Sequence, residues 1–287
     1  MNIYKLKSGI SPIREIERIQ FERDTQKKKP WYQIQANEIS LYAVCPACNN
    51  PIQIIALYKR KENSPRPYGK HVPKSIKGLA EYNHETYLGC PYANPNIALK
   101  KDSLRSEMDK LSLEILSFMK EQFDRIIYIL QEETGIIFTE KLSKDMLVSF
   151  LQMHGYQYVG INMCNLPWIF AYMTASQSLF GRILKKDCPL MQILKKQREV
   201  TFTTNNQIRG AANTFLEINF AFIGHEFSKS GTDHKETVEF VVSLRDKLIY
   251  QVKLAIDPIR FHNLVNVPME RAQRNQKILH IAEELIP

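Results

Sequence analysis

Apolar residues recur at intervals of three and four between Ser103 and Glu133: Leu104, Met108, Leu111, Ile115, Phe118, Met119, Phe123, Ile126, Ile127 and Leu130. Polar residues fill the gaps, and neither proline nor glycine interrupts before Gly135. The stretch therefore predicts one long amphipathic helix. A second helix is expected over 142–154, with Leu142-Ser143 at its start and Gly155 as its C-terminal cap. Asn165-Leu-Pro-Trp168 sets a capping asparagine and an early proline ahead of an apolar run, predicting a helix over 166–184. Leu190–Arg198 adds a shorter helical piece.

The texture turns to period two after Thr201. Thr214–Phe227 alternates, with Phe215, Ile218, Phe220 and Phe222 apolar. Thr237–Ser243 and Leu248–Ile256 flank Arg245-Asp246-Lys247, which reads as a hairpin turn. The tail from Val267 to Leu285 predicts a terminal helix on an Ile278, Ile281, Leu285 stripe. Ahead of the long helix, Trp31–Val44 and Pro51–Tyr58 read as strands on either side of Cys45-Pro-Ala-Cys48. Glu62–Lys77, with Pro65, Pro67, Gly69 and Pro73, reads as a long loop. Residues 1–30, helix-compatible over Ile13–Arg23, read as an N-terminal arm or a short helix ending at Pro30. The expected class is α+β. It comprises an N-terminal arm and metal module over 1–98, then over 99–287 a helical region, an antiparallel sheet and a C-terminal helix.

Composition places bounds on this picture. The chain has 287 residues, 44% hydrophobic and 24% charged, the balance of an ordinary soluble protein. No apolar run approaches the ~18–20 residues that span a bilayer, and the first residues lack the apolar core of a secretory signal. A cytoplasmic, non-membrane protein is expected.

Five cysteines, an odd number, include one C-x2-C pair. That arrangement suits thiols that bind metal more than thiols that pair. Two cysteines at this spacing present both sulfurs to one ion, because the two residues between them make a tight turn. Cys90 supplies a third thiolate. His71, after the turn Tyr68-Gly69-Lys70, is the favoured fourth ligand for a structural Zn2+, and His84 at H-x5-C spacing from Cys90 is the alternative. Over residues 40–95 the chain resembles zinc-ribbon and zinc-finger modules in general. Cys164 and Cys188 are expected in the core, as is the aromatic stripe Trp168, Phe170 and Tyr172.

The net charge is +9. Lys59, Arg60, Lys61, Arg66, Lys70, Lys74 and Lys77 face a single acid, Glu62, so +6 of it lies inside the metal loop. Arg182, Lys185, Lys186, Lys195, Lys196 and Arg198 form a second basic cluster. Such clusters attract polyanions. The function expected first is a zinc-stabilised nucleic-acid-binding protein, DNA more than RNA, directed at the phosphate backbone and without its own catalytic centre.

Two alternatives carry different chemistry. The 103–133 helix could dock protein partners, making the chain an adaptor subunit. The histidines and acids of 225–236 could instead bind a metal for nuclease chemistry, although their place around Ser230-Gly231 points to an exposed hairpin turn. No phosphate-binding glycine loop occurs. The connection between the helices expected at 142–154 and 166–184 is too long for a helix-turn-helix.

Overall fold

The computed structural model describes residues 1–35, 38–58, 66–94, 100–230 and 233–287. The N-terminus is built into the fold and carries a short helix, one of the two readings of residues 1–30. Strand β1 (Ile3–Tyr4) pairs with β2 (Arg14–Glu15), and α1 (Arg18–Thr25) follows. Met1, Ile3, Tyr4, Ile13, Ile16 and Phe21 are buried in one cluster with Tyr32, Leu41, Ala43, Ile52 and Ile54.

The sheet beneath them has four antiparallel strands in the order β3 (Tyr32–Gln35), β4 (Glu38–Val44), β5 (Pro51–Ile55) and β6 (Tyr68–His71). The expected single strand over Trp31–Val44 is thus a hairpin. The expected loop over Glu62–Lys77 contributes a strand, because the far edge of β5 needs a partner for its backbone groups and Tyr68–His71 supplies it. Met1 and Gly69 close this layer: Gly69 N donates to the Met1 carbonyl at 2.8 Å, and the Met1 ammonium donates back to the Gly69 carbonyl at 3.2 Å. A one-turn helix, α2 (His84–Leu88), is capped by Asn83.

The long helix is present as α3 (Lys110–Thr134). It begins later than Ser103 because Asp109 caps it, Oδ1 accepting from Ser112 N at 2.8 Å. Arg105 lies outside the helix, where its guanidinium donates to the Tyr156 and Tyr158 carbonyls. Gly135 ends α3 at φ 73°, and a Cβ there would also meet Cys188 Sγ at 2.8 Å, so both conformation and space call for glycine. The apolar face of α3 is covered within the chain by α5 (Leu166–Tyr172), α7 (Pro258–Val265) and α8 (Gln276–Leu285).

Several boundaries differ from those read off the pattern. Helix α4 (Glu140–Gln152) is capped by Thr139, and His154, not Gly155, takes the left-handed conformation after it. Helix α5 stops at Tyr172, well short of residue 184. Thr174 Oγ1 bonds back to the Ala171 carbonyl at 2.7 Å, and the chain then forms β7 (Gln177–Ser178) against the sheet. After α6 (Pro189–Leu194) come the small hairpin β8 (Val200–Phe202) and β9 (Ile208–Gly210). Helix α7 was not expected at all, and the terminal helix α8 occupies only the last part of Val267–Leu285.

The C-terminal sheet is antiparallel, in the order β12 (Lys247–Ala255), β11 (Asp233–Leu244), β10 (Ile218–Ser230) and β7. Arg245 and Asp246, at φ 47° and 62°, turn β11 into β12. Phe220, Phe222, Val238, Phe240 and Val242 face inward and share one core with Ile126, Trp168, Phe170, Phe261 and Ile281. Phe215, the first apolar residue of the alternating stretch, precedes β10 and is 75% exposed. The chain is an α+β protein. No helix among the described residues is long and apolar enough to cross a membrane.

The two cores interlock. Cys164, from the loop before α5, packs in the N-terminal cluster. Tyr92 sits edge-on to Phe227 of β10 and to His234 of β11, with centroids at 5.7 and 5.3 Å.

Candidate metal centre

Cys45 follows the last residue of β4, and Pro46-Ala47 turn the chain so that Cys48 faces the same point. The turn is closed by Asn49 N donating to the Cys45 carbonyl at 3.1 Å and Cys45 N donating to the Asn50 carbonyl at 2.9 Å. His71 is the last residue of β6, placed opposite Ile52 by the ladder. Cys90 follows α2 and is fixed by its amide donating to the Tyr87 carbonyl at 3.1 Å. Three segments separated in sequence, bearing four side chains, therefore converge.

The donor atoms of Cys45, Cys48, His71 and Cys90 all lie within 4.8 Å of one another. Cys45 Sγ to Cys90 Sγ is 3.8 Å, Cys48 Sγ to His71 Nε2 is 3.3 Å, and Cys90 Sγ to His71 Nε2 is 3.7 Å. Bonds of ~2.3 Å to sulfur and ~2.0–2.1 Å to nitrogen at tetrahedral angles put S···S about 3.8 Å and S···N about 3.5 Å apart. The observed separations bracket those edges. These four residues could hold one metal ion, and among the described residues no other cluster of this kind occurs. His84, the alternative ligand, is exposed and turns its Nδ1 to the Tyr82 hydroxyl at 3.0 Å.

The electrostatics suit a cation. Burial, then the neighbouring sulfurs, push the Cys45 thiol up, and burial raises Cys90 as well. At Cys48 burial also opposes ionisation, but hydrogen bonds from Cys45, Cys90 and His71 outweigh it and hold the thiolate. Without an ion the cluster favours one anion among three sulfurs; a divalent cation would stabilise all three thiolates.

Outer contacts orient the ligands. Asn50 Nδ2 donates to Cys48 Sγ at 3.3 Å and to Thr86 Oγ1 at 2.9 Å, while its Oδ1 accepts from Asn83 N at 2.7 Å. The Tyr87 ring lies edge-on to His71 at 5.5 Å. The Lys5 side chain is buried and donates to the Gly9 carbonyl at 2.7 Å. Burial lowers its pKa, and the nearby Cys164, Cys45 and Cys48 sulfurs act the other way. Neither Asn50 nor Lys5 carried any pattern in the sequence that marked it, although Asn50 lies only two residues beyond the C-x2-C pair.

The other candidate residues fall elsewhere. Arg66, Lys70, Lys74 and Lys77 are exposed on the same module, with Lys74 Nζ over the Tyr42 ring at 5.9 Å. Lys59, Arg60 and Lys61 lie outside the described residues. In the second basic cluster, Lys185 pairs with Glu132, and Lys196 and Arg198 line a groove with Arg245 and Lys247.

The residues of 225–236 do not simply decorate a turn. A bulge after Ile223, at Gly224 (φ 61°), shifts the phase of β10 and turns His225 inward. His225 Nε2 bonds Glu236 Oε1 at 2.7 Å and its Nδ1 bonds the Tyr158 hydroxyl at 2.9 Å; Asn165 Nδ2 also donates to Glu236 Oε1, at 2.6 Å. The isolated glycine within an alternating strand was the available sign of that bulge. Among the described residues this buried network gathers no metal-sized donor group, and Glu226 instead pairs at the surface with Lys253.

No protein-family model matches the chain, and no curated protein or solved structure matches it either.

Proposed function

We propose that Cys45, Cys48, His71 and Cys90 bind one structural Zn2+, and that the ion stiffens a basic module that contacts the phosphate backbone of nucleic acid, DNA in preference to RNA. The observation that carries the metal reading is the Cys3His donor set at tetrahedral spacing. Three thiolates and a neutral imidazole around Zn2+ leave a net charge of −1, which the buried Lys5 ammonium offsets. Such an ion has all four positions filled, so its role is to hold β4, β6 and the end of α2 together, not to activate substrate.

The nucleic-acid reading rests on Arg66, Lys70, Lys74 and Lys77, exposed on the module and in no ion pair among the described residues. Phosphate contacts of this kind are backbone-directed and release counterions. The adaptor reading loses its expected surface, since α3 spends its apolar face on the chain's own core.

Elemental analysis of the purified chain and of Cys45→Ser, paired with duplex-DNA binding across a salt series, tests both parts. We expect one zinc per chain, lost in Cys45→Ser. Reversing Lys70, Lys74 and Lys77 to Glu should weaken binding uniformly across sequences and flatten the salt slope by about 0.9 per lost phosphate contact. A metal-free native chain defeats the first part. An unchanged salt slope in the triple variant defeats the second.

A further inference from the structure

A cleft of about 420 Å³ opens between α3 and the segment that joins α7 to α8. That is within the roughly 300–1,000 Å³ of small-molecule sites, and it shares no residue with the metal centre. Ile127, Phe138, Leu264, Val267 and Ile278 give it apolar walls.

Arg125 lines this cleft while only 6% of its surface is exposed. Its Nη1 donates to Gln122 Oε1 at 3.0 Å and to the Val265 carbonyl. Its Nε and Nη2 have no hydrogen-bond partner among the described residues, and neither is among the fully enclosed unpaired atoms there. Arg125 also belongs to no ion pair there. The adjacent carboxylate is already committed: Asp124 accepts from Arg274 Nε and Nη2, each at 2.8 Å, and from Asn275 N at 3.0 Å.

Two other lining residues can donate: Gln131 has its Oε1 taken by the Phe138 amide at 3.3 Å, which leaves its NH2 as a donor, and the exposed Arg271 adds a second cation. A nearly buried guanidinium with one edge, Nε and Nη2, left unmet is costly. Two oxygens of one anion, set side by side, would satisfy it.

We propose that this cleft binds a small organic anion, a carboxylate or phosphate monoester on an apolar or aromatic body. Arg125 grips two of its oxygens through Nε and Nη2, Gln131 and Arg271 assist, and the body lies against Ile127, Phe138, Leu264 and Ile278.

The test is isothermal titration of the chain as purified with benzoate, phenyl phosphate, inorganic phosphate and benzyl alcohol. Benzoate or phenyl phosphate should saturate one site per chain, and whichever binds tighter distinguishes carboxylate from phosphate. Benzyl alcohol and inorganic phosphate should bind at least about tenfold more weakly, each lacking half of the recognition. Arg125→Lys keeps the charge but loses the fork, and should weaken the better anion at least about tenfold. Because Arg125 also holds Val265, the rim substitution Ala272→Trp provides a second variant; it fills the cleft and should abolish binding while Tm is unchanged. Failure of both organic anions to saturate a site, equal binding of benzyl alcohol, or full affinity in Ala272→Trp would each overturn the assignment.

Discussion

The fully buried side chain of Asn50 donates its amide to Cys48 Sγ across 3.3 Å. The same amide holds Thr86 of α2, and the carbonyl end accepts from Asn83, so one residue ties the cysteine turn to the helix that delivers Cys90. Partners that orient metal ligands typically affect affinity ~10–100-fold when lost. Asn50→Ala should therefore weaken zinc binding by that factor with the stoichiometry kept, as measured by competition with a chromogenic chelator. Wild-type affinity in this variant would mean that the turn's backbone alone positions the sulfur.

A second prediction concerns Glu236. Its Oε1 is the acceptor for both His225 Nε2 and Asn165 Nδ2, and through them it ties β10 and β11 to the loop before α5. A carboxylate only accepts, so the hydrogen on His225 Nε2 is donated to it. Glu236→Leu would leave two buried N–H groups unmet at about 1–3 kcal/mol each, a loss of roughly 2–6 kcal/mol in total. Urea unfolding should show it as a lower midpoint at constant slope, and Glu236→Gln should lose less because an acceptor oxygen remains. A loss within 0.5 kcal/mol, the usual scale of surface changes, would show that the network is not structural.

His262 sets a pH dependence. It is buried on α7 with Nε2 on the Met163 carbonyl at 3.2 Å. Burial first, and the Lys5 charge second, lower its pKa from 6.5 to about 4. Between those values the unfolded chain takes up a proton that the folded chain refuses. The contribution is therefore complete above pH 6.5 and is lost as the pH falls toward 4. At ~1.4 kcal/mol per unit, the loss from pH 6.5 to 5 is about 2 kcal/mol. Comparing His262→Gln with the parent at pH 7.5 and 5 isolates it, because acid release of metal is common to both chains. The variant should lose less stability on acidification; parallel losses would contradict the shift.

What could be read from the chain was whatever depends on neighbours within a turn or two. The period of three and four announced α3, since a helix repeats every 3.6 residues whatever it packs against. Arg245-Asp246 marked the β11–β12 hairpin because a tight turn needs only its own residues. The C-x2-C spacing announced a tight turn that aims two sulfurs at one point for the same reason. Boundaries failed where long-range contacts took over: Arg105 left the expected helix for the carbonyls of Tyr156 and Tyr158, and the 166–184 run broke at Tyr172 to add β7 to the sheet.

By itself, then, the sequence determined the α+β class, the long helix and three cysteines suited to one ion, because local periodicity and short ligand spacing are properties of contiguous residues. Only the tertiary structure decided between the two histidines. His71 enters the cluster because β6 pairs with β5 and carries it there, while His84 sits at an exposed helix start. The fold likewise decided that a bulge turns His225 inward, that Asn50 holds a sulfur of the cluster, and that a nearly buried Arg125 lines a cleft. Each depends on which distant segments meet and on how much water their meeting excludes, and neither is written in the spacing of residues along the chain.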